Sequence, residues 1–329
     1  MPDGKPAPYR ILDRSAGANG DERAQVVEGL LATPARIAPR YFYDELGCAL
    51  YGAICQLPEY YPTRTEIAVF REHRSEIADA IGKGGQFVDL GAGDCCKAQS
   101  WLPFVSPARY IAVDIAGPEI ERALARMSPD FPEIEMVGVI TDFSRGVMLD
   151  GVLDARPVTF FYPGSSIGNF TPGEATRFLE SVRGYCTAPG SGLLIGVDGK
   201  KDKPRLDAAY DDALGVTAAF NRNALLHLNR RFGFDFALDG FVHRGFYNEA
   251  LGRIEMHLEA VAQQDVTLRP QDLNHAPQRR RFAAGERIHT ENSYKYTREE
   301  FAALLRGAGF GSLRSWASPD AGYFVFHAS

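Results

Sequence analysis

The run Val88-Asp89-Leu90-Gly91-Ala92-Gly93-Asp94 takes an apolar segment carrying one carboxylate into a G-x-G turn. Glycine at Gly91 and Gly93 lets the backbone turn tightly and approach a ligand where a Cβ would collide. Asp114 closes the next apolar run, Tyr110-Ile111-Ala112-Val113-Asp114, at about the offset where an acid bonds the ribose hydroxyls of a nucleoside. Asp142 followed by Phe143 joins an acceptor for an exocyclic amine to a ring that stacks, which is what an adenine needs. The third glycine of a dinucleotide fingerprint is absent, its place taken by Cys96. Asp89 would repel a pyrophosphate and suits a sulfonium or an ammonium. S-adenosylmethionine (SAM) therefore fits these residues better than a nicotinamide dinucleotide, with Lys97 available for the cofactor's carboxylate.

A second loop, Pro163-Gly164-Ser165-Ser166-Ile167-Gly168-Asn169-Phe170, follows the apolar run Val158–Tyr162. In an open α/β sheet it lies at the edge where ligands bind, and Asn169 offers both a donor and an acceptor there. Tyrosines crowd a third stretch, from Tyr41-Phe42-Tyr43 to Tyr60-Tyr61-Pro62. One such ring is ordinary packing; several around a Pro-rich turn compete as a ligand surface.

These loops need a frame, and from Thr65 short β-rich runs alternate with amphipathic segments in a βαβ rhythm. A helix is expected to Ile81, strands at 86–90, 109–113, 134–140, 158–162 and 193–197, and helices at 118–127 and 172–185. The expected fold class is α/β, with a parallel, doubly wound sheet. After Lys200 the rhythm breaks into one long helix over 204–231 and hairpin-like runs at 235–246 and 253–262, then resumes with a helix at 298–305 and strands near 313–316 and 323–327. The interruption reads as an inserted second domain that packs with the N-terminal segment. Residues 1–20 read as a flexible arm, 21–62 and 201–286 as a smaller α+β substrate-binding domain, and 63–200 with 287–329 as the cofactor domain. Asp21 is a plausible N-cap for the first helix.

Composition excludes several classes. The chain has 329 residues, 36 Lys+Arg against 42 Asp+Glu, and 45% hydrophobic residues, so neither disorder nor a large basic footprint for nucleic acid is expected. Five cysteines and no apolar leader point to a reducing cytoplasm. No membrane span and no metal site are expected, and the pair Cys95-Cys96 reads as small packing thiols.

Tyr41-Phe42-Tyr43-Asp44, Leu57-Pro58-Glu59-Tyr60-Tyr61-Pro62-Thr63-Arg64, Gly164-Ser165-Ser166-Ile167-Gly168-Asn169, Ala209-Tyr210-Asp211-Asp212, Thr217 to Asn223, Arg253-Ile254-Glu255-Met256 and Thr290-Glu291-Asn292-Ser293 together resemble, in order and over nearly the whole chain, the histidine-specific N-alpha-methyltransferases of ergothioneine biosynthesis. The resemblance implies a class I (Rossmann-like) SAM methyltransferase domain plus a second domain. It implies up to three methyl transfers to the α-amine of histidine, giving Nα-trimethylhistidine (hercynine), by an expected monomer. It places Tyr60 and Asn169 on the substrate amine and carboxylate, Tyr210 also on the carboxylate, Glu291 and Ser293 on the imidazole, and Gly164 and Met256 in the pocket wall. Tyr43, Asp89, Gly91, Gly93, Lys97, Asp114, Asp142 and Phe143 correspond to cofactor contacts, and Tyr43, Tyr60 and Asn169 form the catalytic set. The family's small and hydroxylated residues after the G-x-G turn are Asp94-Cys95-Cys96 here, and an aromatic of the N-terminal segment is Tyr51; both departures bear on cofactor affinity more than on reaction type.

Physical chemistry also favours histidine. A neutral imidazole donates from one nitrogen and accepts at the other, and a carboxylate and a hydroxyl two residues apart on a strand share a face and engage both. An indole has little use for that pair. The rivals are an enzyme for another amino acid such as tryptophan, a nicotinamide-dependent oxidoreductase, and a silent amino-acid or SAM sensor.

Overall fold

The computed structural model describes residues 9–14, 22–143, 146–270, 276–320 and 322–329. In chain order its strands are β1 (Tyr9–Asp13), β2 (Ala35–Arg36), β3 (Gln86–Leu90), β4 (Arg109–Asp114), β5 (Glu135–Ile140), β6 (Val158–Tyr162), β7 (Gly192–Asp198), β8 (Phe241–Asn248), β9 (Arg253–Ala260), β10 (Gln264–Leu268), β11 (Gln278–Phe282), β12 (Arg287–Tyr294), β13 (Leu313–Ala317) and β14 (Tyr323–Ala328).

The large sheet runs β1-β5-β4-β3-β6-β7-β14-β13. Every residue of β3, β6 and β7 is buried, the signature of strands covered on both faces. The chain winds outward from β3 through β4 to β5 on one side and from β6 to β7 on the other. The order thus reverses between β3 and β6, and ligands bind at such a switch point, beyond the carboxyl ends of the strands. Helices Gly117–Met127 and Pro172–Tyr185 make two of the crossovers, the second opened by a capping box of Thr171 and Glu174.

The sheet is mixed rather than wholly parallel. β14 runs antiparallel to both β7 and β13, because a short turn closed by Ser318 joins β13 to β14 and leaves no room for a crossover. β1 corrects the expected flexible arm. Residues 9–13 pair in parallel with 136–140 of β5 as an edge strand, while the rest of residues 1–20, apart from Arg14, and Asp21 lie outside the described residues.

A second sheet, β2-β12-β9-β8, has β10 and β11 as a separate ribbon beside it. Its apolar face packs with Val26, Leu30 and Tyr41 of the N-terminal segment and with Leu225, Leu228 and Phe232. β12 pairs with β9 here, so residues 287–294 belong to this sheet and the return to the large sheet comes at the bridge of Tyr296 with Gly199, not at the expected boundary of 286/287. The long helix expected over 204–231 is two, Lys203–Tyr210 and Val216–Phe232. Asp212 breaks it by accepting from the backbone N–H groups of Val216 and Thr217, and Gly215 takes a left-handed φ of 73°. The helix expected up to Ile81 is likewise two, Tyr61–Glu72 and Arg74–Ile81, meeting at His73.

Candidate active site

β3 delivers the cofactor loop. Gly91 and Gly93 adopt φ of 72° and 52°, conformations that suit glycine, and a Cβ on Gly91 would lie 3.7 Å from Phe143. Asp114, at the end of β4, accepts from the Gly93 N–H at 2.9 Å and the Ala116 N–H at 2.9 Å, tying the glycine turn to the next strand. Asp89 is buried beneath the turn and accepts from the Tyr110 hydroxyl at 2.9 Å; burial pushes its carboxyl up to about 7. Phe143 stands edge-on to Tyr162, and Asp142 accepts from Arg40 at 2.9 Å. Two open glycines, a strand-end acid and a ring beside them form a cradle that a nucleoside with a cationic sulfonium fits. Lys97 pairs with the fully buried Glu66 at 2.7 Å, so its ammonium is held at the edge of this cradle by a neighbour that the sequence did not single out.

A single cavity gathers the expected substrate residues. Tyr43, Tyr60, Gly164, Asn169, Tyr210, Met256, Glu291 and Ser293 all line it, from six separate parts of the chain. Asp44 caps helix Glu45–Ile54 through the Gly47 N–H at 2.8 Å and accepts from Asn223 at 2.7 Å, fixing the turn that carries Tyr43. Arg64 donates to the carbonyls of Leu57 and Pro58, which holds the turn before Tyr60. The 3-10 turn Ser166–Asn169 lies against β12, where a Cβ on Gly168 would come within 2.8 Å of the Tyr294 carbonyl oxygen. That approach sets the Asn169 amide 3.4 Å from the Glu291 carboxylate. Glu291 and Ser293, two apart on β12, both face the cavity.

A family model described as histidine-specific, SAM-dependent methyltransferase matches residues 22–329. The chain belongs to this family. It is 40% identical over 317 residues to the histidine N-alpha-methyltransferase of Mycolicibacterium smegmatis, covering 95% of each chain. It is 36% identical over 306 residues to that of Mycobacterium tuberculosis, covering 92% of each. Ergothioneine biosynthesis protein 1 of Neurospora crassa is 29% identical over 86% of this chain and 32% of its own, longer one.

As a SAM-dependent methyltransferase the protein has more lining to its site than the sequence singled out. Tyr51, Ile54, Ser165, Ser166, Ala209, Thr217 and Phe220 complete the cavity wall. Thr217, Phe220 and the serines lie within runs that carry the family resemblance; Ile54 has no such signal. Glu66 joins the two ligand loops, accepting from the Gly164 N–H at 2.6 Å and the Tyr323 hydroxyl at 2.6 Å as well as from Lys97. Ser165 sits at a left-handed φ of 59°, its hydroxyl accepting from the Asp198 N–H at 2.8 Å. Burial holds the Tyr43 and Tyr60 hydroxyls well above the usual phenol range, so both stay protonated near neutral pH. Burial also pushes Glu291 up to about 8, with Lys295 pulling the other way. Among the described residues no group of His, Cys, Asp and Glu is placed to hold a metal ion, and no helix is long and apolar enough to cross a membrane. All five cysteines are free thiols.

Proposed function

We propose that this methyltransferase methylates the α-amine of L-histidine, three times in succession, to give Nα-trimethylhistidine for ergothioneine synthesis. The observation that carries this reading is the convergence of Tyr60, Asn169, Tyr210, Glu291 and Ser293 on one cavity at the switch point of the sheet, beside the glycine cradle. Gly91, Gly93, Asp89, Lys97, Asp114, Asp142, Phe143 and Tyr43 would hold SAM, which when bound supplies an electrophilic methyl on a sulfonium.

Tyr60 and Asn169 orient the amine, Asn169 takes the carboxylate with Tyr210 beside it in the pocket wall, and Glu291 with Ser293 holds the ring. The amine attacks as its neutral form. This nitrogen would take the methyl of bound SAM, leaving S-adenosylhomocysteine, and the methylated amine would release its proton to solvent before each further transfer. None of the cavity residues is a dedicated base, so the protein's part is alignment, a term that can contribute up to roughly 7–11 kcal/mol. Anchoring through carboxylate and imidazole keeps the substrate in place while its amine loses N–H donors one by one. The net charge of −6 and the free thiols support the accompanying reading of a cytoplasmic enzyme without nucleic-acid or membrane partners, and we take it as a monomer.

Mass spectrometry after incubation with SAM and each common amino acid tests the reading. Increments of one, two and three methyl groups on histidine alone are expected; none on any amino acid would leave a sensor, and preference for tryptophan would move the specificity.

A further inference from the structure

Behind the cavity wall lies a buried charged cluster that the reaction itself does not use. The Lys295 ammonium is fully buried and spends its three N–H donors on Asp198 at 2.9 Å, the Tyr210 hydroxyl at 2.9 Å and the Ser293 hydroxyl at 3.0 Å. Asp198, on β7, is held in turn by Lys201 at 2.5 Å and the Tyr61 hydroxyl at 2.7 Å. Both hydroxyls that Lys295 touches are assigned to the substrate, and they bond each other at 3.1 Å.

We propose that Lys295 is a positioning residue that fixes Ser293 as a donor toward the substrate, so that the site admits the imidazole only as the neutral ring. An ammonium accepts nothing, so neither hydroxyl can turn its proton toward Lys295. The phenol is the more acidic hydroxyl and donates to Ser293, whose oxygen then accepts twice and whose own proton must point into the cavity. A ring nitrogen facing Ser293 must therefore carry a lone pair. The other nitrogen donates to the Glu291 carboxylate, which also faces the Asn169 amide. Neutral imidazole meets this pattern with one donor and one acceptor; imidazolium, with two donors, does not, and it would share the Ser293 oxygen with a second cation.

The inference rests on the assignment of Glu291 and Ser293 to the ring, and the test separates the two. The probe is Nα-trimethylhistidine with S-adenosylhomocysteine, by titration calorimetry from pH 8 to pH 5.5; its quaternary amine does not titrate, so the ring, with a pKa of about 6.5, and Glu291 are read without the amine. Wild type is expected to lose at least tenfold in affinity over that span, and a flat profile overturns the proposal whatever the variants do. Lys295→Met removes the ammonium while Asp198 keeps Lys201 as its counter-ion, so that no stranded carboxylate remains. With S-adenosylhomocysteine binding as its folding control, this variant is expected to lose affinity at least threefold less than wild type over the span, the Glu291 contribution remaining in both; retention of the wild-type slope overturns the proposal. Glu291→Gln reports on the assignment beneath: if it leaves affinity unchanged at pH 8, the ring is read elsewhere and the role of Lys295 falls with that assignment, whereas a tenfold loss there beside an unchanged Lys295 profile refutes Lys295 alone.

Discussion

Replacing Glu291 by Gln should stabilise the unliganded protein and disable the enzyme, and both magnitudes follow from its surroundings. The carboxyl is buried, Lys295 is the one cation that lowers it, and it titrates near 8 instead of 4.5. For a group raised in the folded state, its contribution is most favourable below the unfolded pKa and is lost as pH rises through the folded one. Across that window the loss grows by about 1.4 kcal/mol per pH unit, reaching roughly 3 kcal/mol at pH 7 and about 5 at its limit above pH 8. An amide has no such term. The Tm of Glu291→Gln, set against wild type without ligand, should therefore be nearly equal at pH 5 and should exceed it by a margin that widens to pH 8.5. For catalysis above pH 8, where the carboxyl is ionised, the lost partner is a charged acceptor for a ring N–H, worth about 1.5–3 kcal/mol, so kcat/KM for histidine should fall there by about one to two decades. Differential scanning fluorimetry across pH and steady-state kinetics on the same protein decide the matter. A variant no more stable than wild type at pH 8.5, or one with unchanged kcat/KM, would refute the picture of a desolvated carboxyl waiting for the ring.

Asp114→Ala removes the acid that braces the Gly93 and Ala116 amides, and calorimetry should show SAM affinity reduced about ten- to hundredfold, with binding of the histidine product much less affected. Asn169→Ala should leave SAM binding near wild type while methylation falls at least tenfold; full turnover with normal KM would make the 166–169 turn a mere scaffold. Glu291→Ala combined with Met256→Ala enlarges the cavity and strips its polar reader, and the ratio of kcat/KM for tryptophan or phenylalanine over histidine should rise; an unchanged ratio would remove both residues from substrate choice.

The cofactor half was readable because its strands are buried on both faces and appear as unbroken apolar runs, each stopped by a glycine or an acid at the ligand edge. That Glu291 and Ser293 lie on a strand was expected, but the place of β12 in the second sheet was not, for a related reason. Its sequence, Arg287-Ile288-His289-Thr290-Glu291-Asn292-Ser293-Tyr294, spends its cavity-facing positions on polar groups, so no apolar alternation marks it as a strand of the second sheet. The helix break at Asp211–Gly215 is hidden by apolar residues that keep their spacing across it, and only the pairing of an acid cap with a glycine betrays the turn. β1 is five residues in a Pro- and Gly-rich stretch, and its partner lies more than a hundred residues away, beyond the reach of any local pattern. Lys295 is the hardest case. A lysine reads as solvent-facing until the carboxylate that neutralises it, ninety-seven positions earlier, is seen beside it.

The edge strand β1 also changes what counts as expendable. Arg14, just past it, donates to the carbonyls of Met148 and Asp150, and its own N–H bonds the Ile140 carbonyl, two residues before Asp142, the acid proposed for the adenine. Residues 9–14 thus brace β5, the strand that leads to Asp142. A shortened protein beginning at the first helix would keep every proposed ligand residue and lose this brace. Anyone trimming this enzyme for crystals or fusing a partner close to Tyr9 would be altering the support of the strand that ends before Asp142.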